Sequence, residues 1–188
     1  RRDDPAVAVI AINRPHKRNA INFATWKGLR DLFREFAADP EVRVIILTGE
    51  GGYFSAGADI SEFPEHRANA ALGLEYDRVA DECSQAIMNC PKPTIAAAEG
   101  FCVGGGLGLA LCCDFRIARD NTQLGIPAAR LGIVYGTVDT QNLLNVVGLA
   151  GAKRILYTGE RVDANTAFQL GLVDEVTDGD VMDSALAL

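Results

Sequence analysis

Two glycine-bearing segments, Phe54-Ser55-Ala56-Gly57-Ala58-Asp59 and Gly100-Phe101-Cys102-Val103-Gly104-Gly105-Gly106, constrain this 188-residue chain more than any other feature. Each reads as a strand end turning into a helix start, where the first N–H groups lack an intrahelical partner and the helix dipole favours negative charge. Together they can aim two free backbone N–H groups at one point and so polarise a carbonyl placed there. Glycines also permit tight helix-strand packing, which is the commoner reason for an isolated motif of this kind. Two such motifs in one chain favour the oxyanion hole.

The surrounding pattern alternates strands with helices. Val7 to Ile12 is an apolar, β-rich run, and Asn22 to Ala38 has helical spacing through Trp26, Leu29, Leu32, Phe33 and Phe36 before Asp39-Pro40 stops it. Buried strands are expected at Val42 to Thr48, Thr94 to Ala98 and Asp114 to Ala118, with short extended pieces at Tyr53 to Ser55 and Gln123 to Gly125. Helices are expected at Leu74 to Asn89, Gly105 to Cys112, Thr140 to Val147, Ala150 to Thr158 and Ala164 to Leu170. The class is α/β, and with no repeat and no Pro/Ser-rich linker residues 1–188 read as a single domain. A composition 48% hydrophobic and 23% charged suits a substantial core.

The net charge of -7 argues against a nucleic-acid surface. Arg14, Lys17 and Arg18 crowd one loop, for which the bland reading is a solvated basic turn. The five cysteines, Cys83, Cys90, Cys102, Cys112 and Cys113, lack a CxxC spacing or a His partner and read as reduced core thiols, so no metal site is expected. Neither a signal peptide nor an apolar run of membrane-spanning length is visible, and a cytoplasmic enzyme without membrane contact is the expectation. Gly105-Gly106-Leu107-Gly108 supplies no P-loop lysine, Gly104-Gly105-Gly106 comes too late and at the wrong spacing for a dinucleotide fingerprint, and no Gly-x-Ser-x-Gly elbow is present.

In order along the chain, Asn13-Arg14-Pro15-His16-Lys17-Arg18-Asn19-Ala20, Val44-Ile45-Ile46-Leu47-Thr48-Gly49, Phe54 to Asp59, Pro91-Lys92-Pro93-Thr94-Ile95-Ala96-Ala97, Gly104-Gly105-Gly106, Cys113-Asp114 and Thr158-Gly159-Glu160 resemble the crotonase (enoyl-CoA hydratase/isomerase) superfamily. The resemblance implies a spiral of β-β-α turns, where periodicity alone would also allow a doubly wound sheet. It implies an acyl-CoA thioester substrate, no cofactor beyond the CoA that the substrate carries, and a homotrimer or dimer of trimers. It further implies that the sequence stops where relatives continue into helices used for trimer contacts and closure of the acyl site, so that the C-terminal helical trimerisation region is largely missing.

Carried over residue by residue, the resemblance makes Ala58 N–H and Gly105 N–H the oxyanion donors. It sets Lys17 and Arg18 beside the CoA phosphates and Phe54 and Ala56 on the adenine side. Asp59, Ile60 and Gly104 complete the substrate-binding set, with Asp59 read as a turn or cap residue rather than a catalyst. Hydratases of the superfamily carry two glutamates at positions that are Gly108 and Ala128 here, and neither residue can titrate. A further position, an aspartate in some dehalogenase, dienoyl isomerase and ring-closing relatives, is Gly136. Leu131-Gly132-Ile133-Val134-Tyr135 resembles methylmalonyl-CoA decarboxylases, although those carry a histidine where Ala58 stands, and it makes Tyr135 a candidate catalytic residue.

Lyase chemistry of the decarboxylase kind is therefore the expected reaction, since it needs an enolate site but no strong base. Hydration or isomerisation through a non-standard acid or base, and a non-catalytic acyl-CoA-binding subunit, remain as alternatives. Among other polar residues, Asp139 is expected to cap the helix that follows, with catalysis as its second role. Arg130 is set against a substrate carboxylate or left on the surface, His66 is a proton carrier or solvent-exposed, and Glu99 is structural.

Overall fold

The computed structural model describes residues 4–188. Strand β1 (Val7–Ile12) alternates half-buried and buried positions, the period-2 outcome of its apolar run. Helix α1 (Phe23–Ala38) starts at Asn22, whose side chain accepts from the Thr25 N–H, and turns Trp26, Leu29 and Phe33 inward. After β2 (Val44–Gly49) come the short α2 (Phe63–His66) and the long α3 (Ala70–Met88). Then follow β3 (Thr94–Ala98), β4 (Phe101–Val103), α4 (Gly105–Cys112), β5 (Phe115–Arg119), β6 (Gln123–Gly125) and α5 (Ala128–Leu131). The chain continues through α6 (Thr137–Thr158), β7 (Arg161–Asp163), α7 (Ala164–Gln169), β8 (Glu175–Thr177) and α8 (Val181–Ala187).

A five-stranded parallel sheet has the order β1-β2-β3-β5-β8, and a three-stranded sheet has the order β4-β6-β7. Consecutive strands go one to each sheet before a helix returns the chain: β3, β4, α4, then β5, β6, α5. The earlier turns keep this form with single bridges, Ile21 to Ala58 and Ser55 to Cys102, in place of full strands. The result is the spiral of β-β-α turns rather than a doubly wound sheet.

Register puts successive residues of the large sheet on opposite faces. Ile45 and Leu47 enter the main core, whereas Ile46 pairs with Ile95 and joins Ile117 beneath Val181 and Ala185 of α8. Both faces of the parallel sheet are thus covered. Helix α4 is apolar all round and buries seven of its eight residues, and Gly106 lets it approach so closely that a methyl group there would lie 2.7 Å from Ser55 Cβ.

Several elements differ from expectation. Helix α3 begins four residues before Leu74 because Asn69 caps the Leu72 N–H. The two helices expected either side of Gly148 run together as α6, kinked where Gly148 takes φ 68°. The expected helix-capping role of Asp139 is corrected: α6 starts at Thr137 after Gly136, and Asp139 falls inside the first turn. Elements α5, β7, β8 and α8 are too short for periodicity to announce.

Candidate active site

Across residues 54 to 59 every backbone N–H except that of Ala58 has an acceptor among the described residues. Phe54 donates to Glu99 O, Ser55 to Phe101 O, Ala56 to Arg18 O and Asp59 to Ile21 O, while Gly57 N–H meets Ser55 Oγ at 3.1 Å. In the second segment Gly104 N–H donates to Gly125 O, and Gly105 N–H, at the first position of α4, has no acceptor among the described residues. The two free donors lie close together: a methyl group at Gly105 would come 3.6 Å from Ala58 N, and one at Gly57 would come 3.3 Å from Gly105 N. Gly57 takes φ +95° and passes so near Val103 O that a side chain would sit at 2.8 Å, which is why glycine holds this turn.

A buried polar lattice holds the first segment. Asn19, fully buried with φ 55°, donates to Glu50 O and Tyr53 O and accepts from Arg14 N–H at 2.8 Å. Arg14 reaches Asp59 Oδ2 at 3.0 Å, and Asp59 in turn accepts from the Ser61 hydroxyl and backbone N–H. The Ser61 hydroxyl, followed by Arg14, holds the Asp59 carboxyl below the usual carboxylate range. Asp59 is therefore ionised, neutralised and occupied as a cap.

These donors open on a cavity of about 770 Å³. Its walls include Ala56, Ala58, Asp59, Ile60, Gly104 and Gly105 on the hole side, and Tyr135 and Asp139 from the loop and helix beyond. A side chain at Gly108 would begin 3.0 Å from Tyr135 Oη and 3.3 Å from Asp139 Oδ1. Burial, reinforced by the negative charge of Asp81, pushes the Asp139 carboxyl up to about 6. Among the described residues that carboxylate accepts no hydrogen bond and faces no cation within 4 Å. Tyr135 donates to Gly104 O at 3.3 Å, and burial, then Asp139, raises its phenol well above the usual range, so it stays protonated.

Not every expected residue reaches the cavity. Phe54 is corrected: it is fully buried in the main core, so its ring supports the segment from behind and lines nothing. Lys17 sets its Nζ 3.5 Å from Ser61 Oγ, and Arg18 lies over the Phe101 ring at 5.3 Å, neither of them in the cavity wall. Arg130 turns away to Thr158 O and Glu160, His66 stacks on Phe23 beside Glu62, and Glu99 pairs with Arg119. Ala128 lines the cavity without a titratable group. Sequence reasoning passed over Asp81 and Ser84, which α3 turns into the cavity: their i, i+3 spacing sets them on one helix face but does not say where that face points.

The enoyl-CoA hydratase/isomerase family model matches residues 2–188. The chain is 42% identical over 171 residues to crotonyl-CoA hydratase of Syntrophomonas wolfei, covering 90% of this chain and 65% of that protein. It is 40% identical to short-chain-enoyl-CoA hydratase of Clostridium acetobutylicum, covering 92% of this chain and 66% of that one. A solved enoyl-CoA hydratase/carnithine racemase from Magnetospirillum magneticum superposes with a TM-score of 0.93 at 39% identity, covering 97% of this chain and 68% of the other. The chain thus spans about two thirds of the length of these relatives.

Proposed function

The chain belongs to the enoyl-CoA hydratase/isomerase family, and from that premise we propose that it moves protons on enoyl-CoA thioesters, with Asp139 as the acid-base group. The observation that carries this reading is the Asp139 carboxyl group standing against Gly108, with an affinity for protons raised toward neutral pH. The thioester carbonyl sits between Ala58 N–H and Gly105 N–H, which take up the charge of the enolate. Ionised Asp139 either withdraws a proton from the acyl chain, for return at another carbon, or activates water for addition to the double bond. Lys17, beside Ser61, and Arg18, over the Phe101 ring, meet the CoA phosphates, and no cofactor beyond that CoA enters the scheme.

Decarboxylation is the second reading, favoured by the protonated Tyr135 phenol beside the hole. There the bond from the α carbon to a substrate carboxylate breaks, carbon dioxide leaves, the electron pair passes to the thioester oxygen, and a proton from Asp139 restores the α carbon. Assembly as a trimer or dimer of trimers in the cytoplasm completes the proposal; the exposed Leu149, Tyr157 and Phe168 support the assembly.

The test is turnover of crotonyl-CoA and a 3-enoyl-CoA in deuterated water, followed by mass spectrometry, with wild type and Asp139→Asn. Hydration, double-bond shift or deuterium uptake that falls by about a hundredfold or more in the variant, with thioester binding retained, is the expected result. An Asp139→Asn enzyme at full rate would sink the assignment.

A further inference from the structure

We propose that Asp81 and Asp139 make the acyl end of the cavity selective for CoA thioesters whose acyl chain carries no carboxylate, a proposal that rests on the thioester reading above. The spacing Asp77, Asp81, Ser84 sets one polar stripe of α3 along the cavity wall, and Asp139 of α6 belongs to the same cavity. Four carboxyl groups line the space, but only two are compensated. Asp59 pairs with Arg14 at 3.0 Å, and Asp77 pairs with Arg67 at 3.0 Å. Arg67 is held further by lying over the Phe63 and Tyr76 rings, each at 5.2 Å, and is committed to that position.

Neither Asp81 nor Asp139 has a cation within 4 Å among the described residues, and each carries a raised proton affinity. Burial is the first cause for both, followed by the charge of Asp77 for Asp81 and of Asp81 for Asp139. The other titratable groups nearby, Tyr76, Tyr135, Cys83 and Cys112, are pushed upward by burial and stay neutral. A carboxylate on the acyl chain would enter a space that already holds two like charges and no free cation to answer them. A neutral chain meets instead the apolar Ala80, Leu131 and Ile133 of the same cavity. Malonyl-type thioesters fall on the excluded side, which weighs against the second reading.

The probes are two unreactive thioethers of equal chain length, S-butyl-CoA and S-(3-carboxypropyl)-CoA, titrated calorimetrically so that no turnover is needed. At about pH 8 the carboxylated ligand is expected to bind about tenfold or more weakly. At about pH 5.5, where Asp139 is largely protonated and the ligand's carboxylate is not, the gap should narrow. Asp81→Asn should narrow it at the higher pH, and the wild-type pH dependence stands even if that variant misfolds. Equal affinity, or a gap indifferent to both pH and Asp81→Asn, overturns the selectivity alone. Binding of neither thioether overturns the thioester reading and this proposal with it.

Discussion

Gly108 and Asp139 share one space: a side chain added to the glycine would begin 3.3 Å from the aspartate's Oδ1. Helix α4 therefore offers no acid-base group, and α6 fills the gap it leaves. The same point lies 3.0 Å from Tyr135 Oη, so an absent side chain, a carboxyl and a phenol meet beside the two free N–H donors.

That crowding makes Gly108→Ala informative. Contacts of 3.0 and 3.3 Å oblige Tyr135 or Asp139 to give by a few tenths of an ångström. Displacement of a reacting group on that scale should lower turnover by roughly tenfold, with only a small change in thermal midpoint. An unaltered kcat would show that Asp139 does not need its present position.

The raised proton affinity of Asp139 has linked consequences for rate and stability. If the ionised form is the base, kcat/KM falls as pH drops through about 6. Asp81→Asn should move that limb to lower pH, though not to the ordinary carboxylate value, since burial is the larger cause. Because the folded pKa of about 6 lies above the ordinary aspartate value of 3.8, the native state favours the protonated form. The site's contribution to stability is then fullest below the unfolded value and declines as pH rises to about 6. Asp139→Asn should accordingly stabilise the protein above that pH, by up to about 3 kcal/mol, with the difference vanishing in acid. Denaturant midpoints across pH measure this, and a variant less stable at neutral pH would contradict it.

At the hole itself, Gly57→Ala demands both an unfavourable φ of +95° and a contact 2.8 Å from Val103 O. The segment must shift, carrying Ala58 N–H away from Gly105. Turnover is expected to fall by about a hundredfold if that donor contributes as oxyanion donors usually do. A folded Gly57→Ala protein with wild-type kcat would reject Ala58 as a donor.

The glycine segments were legible because close approach and positive φ leave a residue signature, Gly57 and Gly104-Gly105-Gly106 above all. Long elements such as α1 announced themselves by period and by the Asn22 cap. Asp139 did not, because its place depends on where α6 begins: the structure starts the helix at Thr137, which moves the aspartate from a capping position into the cavity. Phe54 misled for the opposite reason. Its motif fixes the backbone path, but the side chain packs into the core, where it is 0% exposed. Asp81 lies on a helix whose polar residues otherwise read as solvent-facing, and only the packing of α3 beside α4 reveals which stripe borders the cavity.

Tyr135 separates the proposed reactions. Its hydroxyl donates to Gly104 O at 3.3 Å, a long bond that leaves the phenol free to turn toward a substrate. Tyr135→Phe keeps the ring and removes the oxygen, so the folding cost should stay within about 1 kcal/mol. If the hydroxyl touches the reacting acyl group, turnover falls by about tenfold at an unchanged thermal midpoint, in keeping with a neutral donor to a developing charge. The reaction lost identifies the reaction run: hydration or double-bond shift of an enoyl-CoA under the first reading, carbon dioxide release from a malonyl-type thioester under the second. The two unpaired carboxyl groups in the cavity favour the first outcome. No carbon dioxide from any malonyl-type thioester rejects decarboxylation, whereas tight binding with no turnover across neutral and carboxylated thioesters alike would make this chain a non-catalytic acyl-CoA binder.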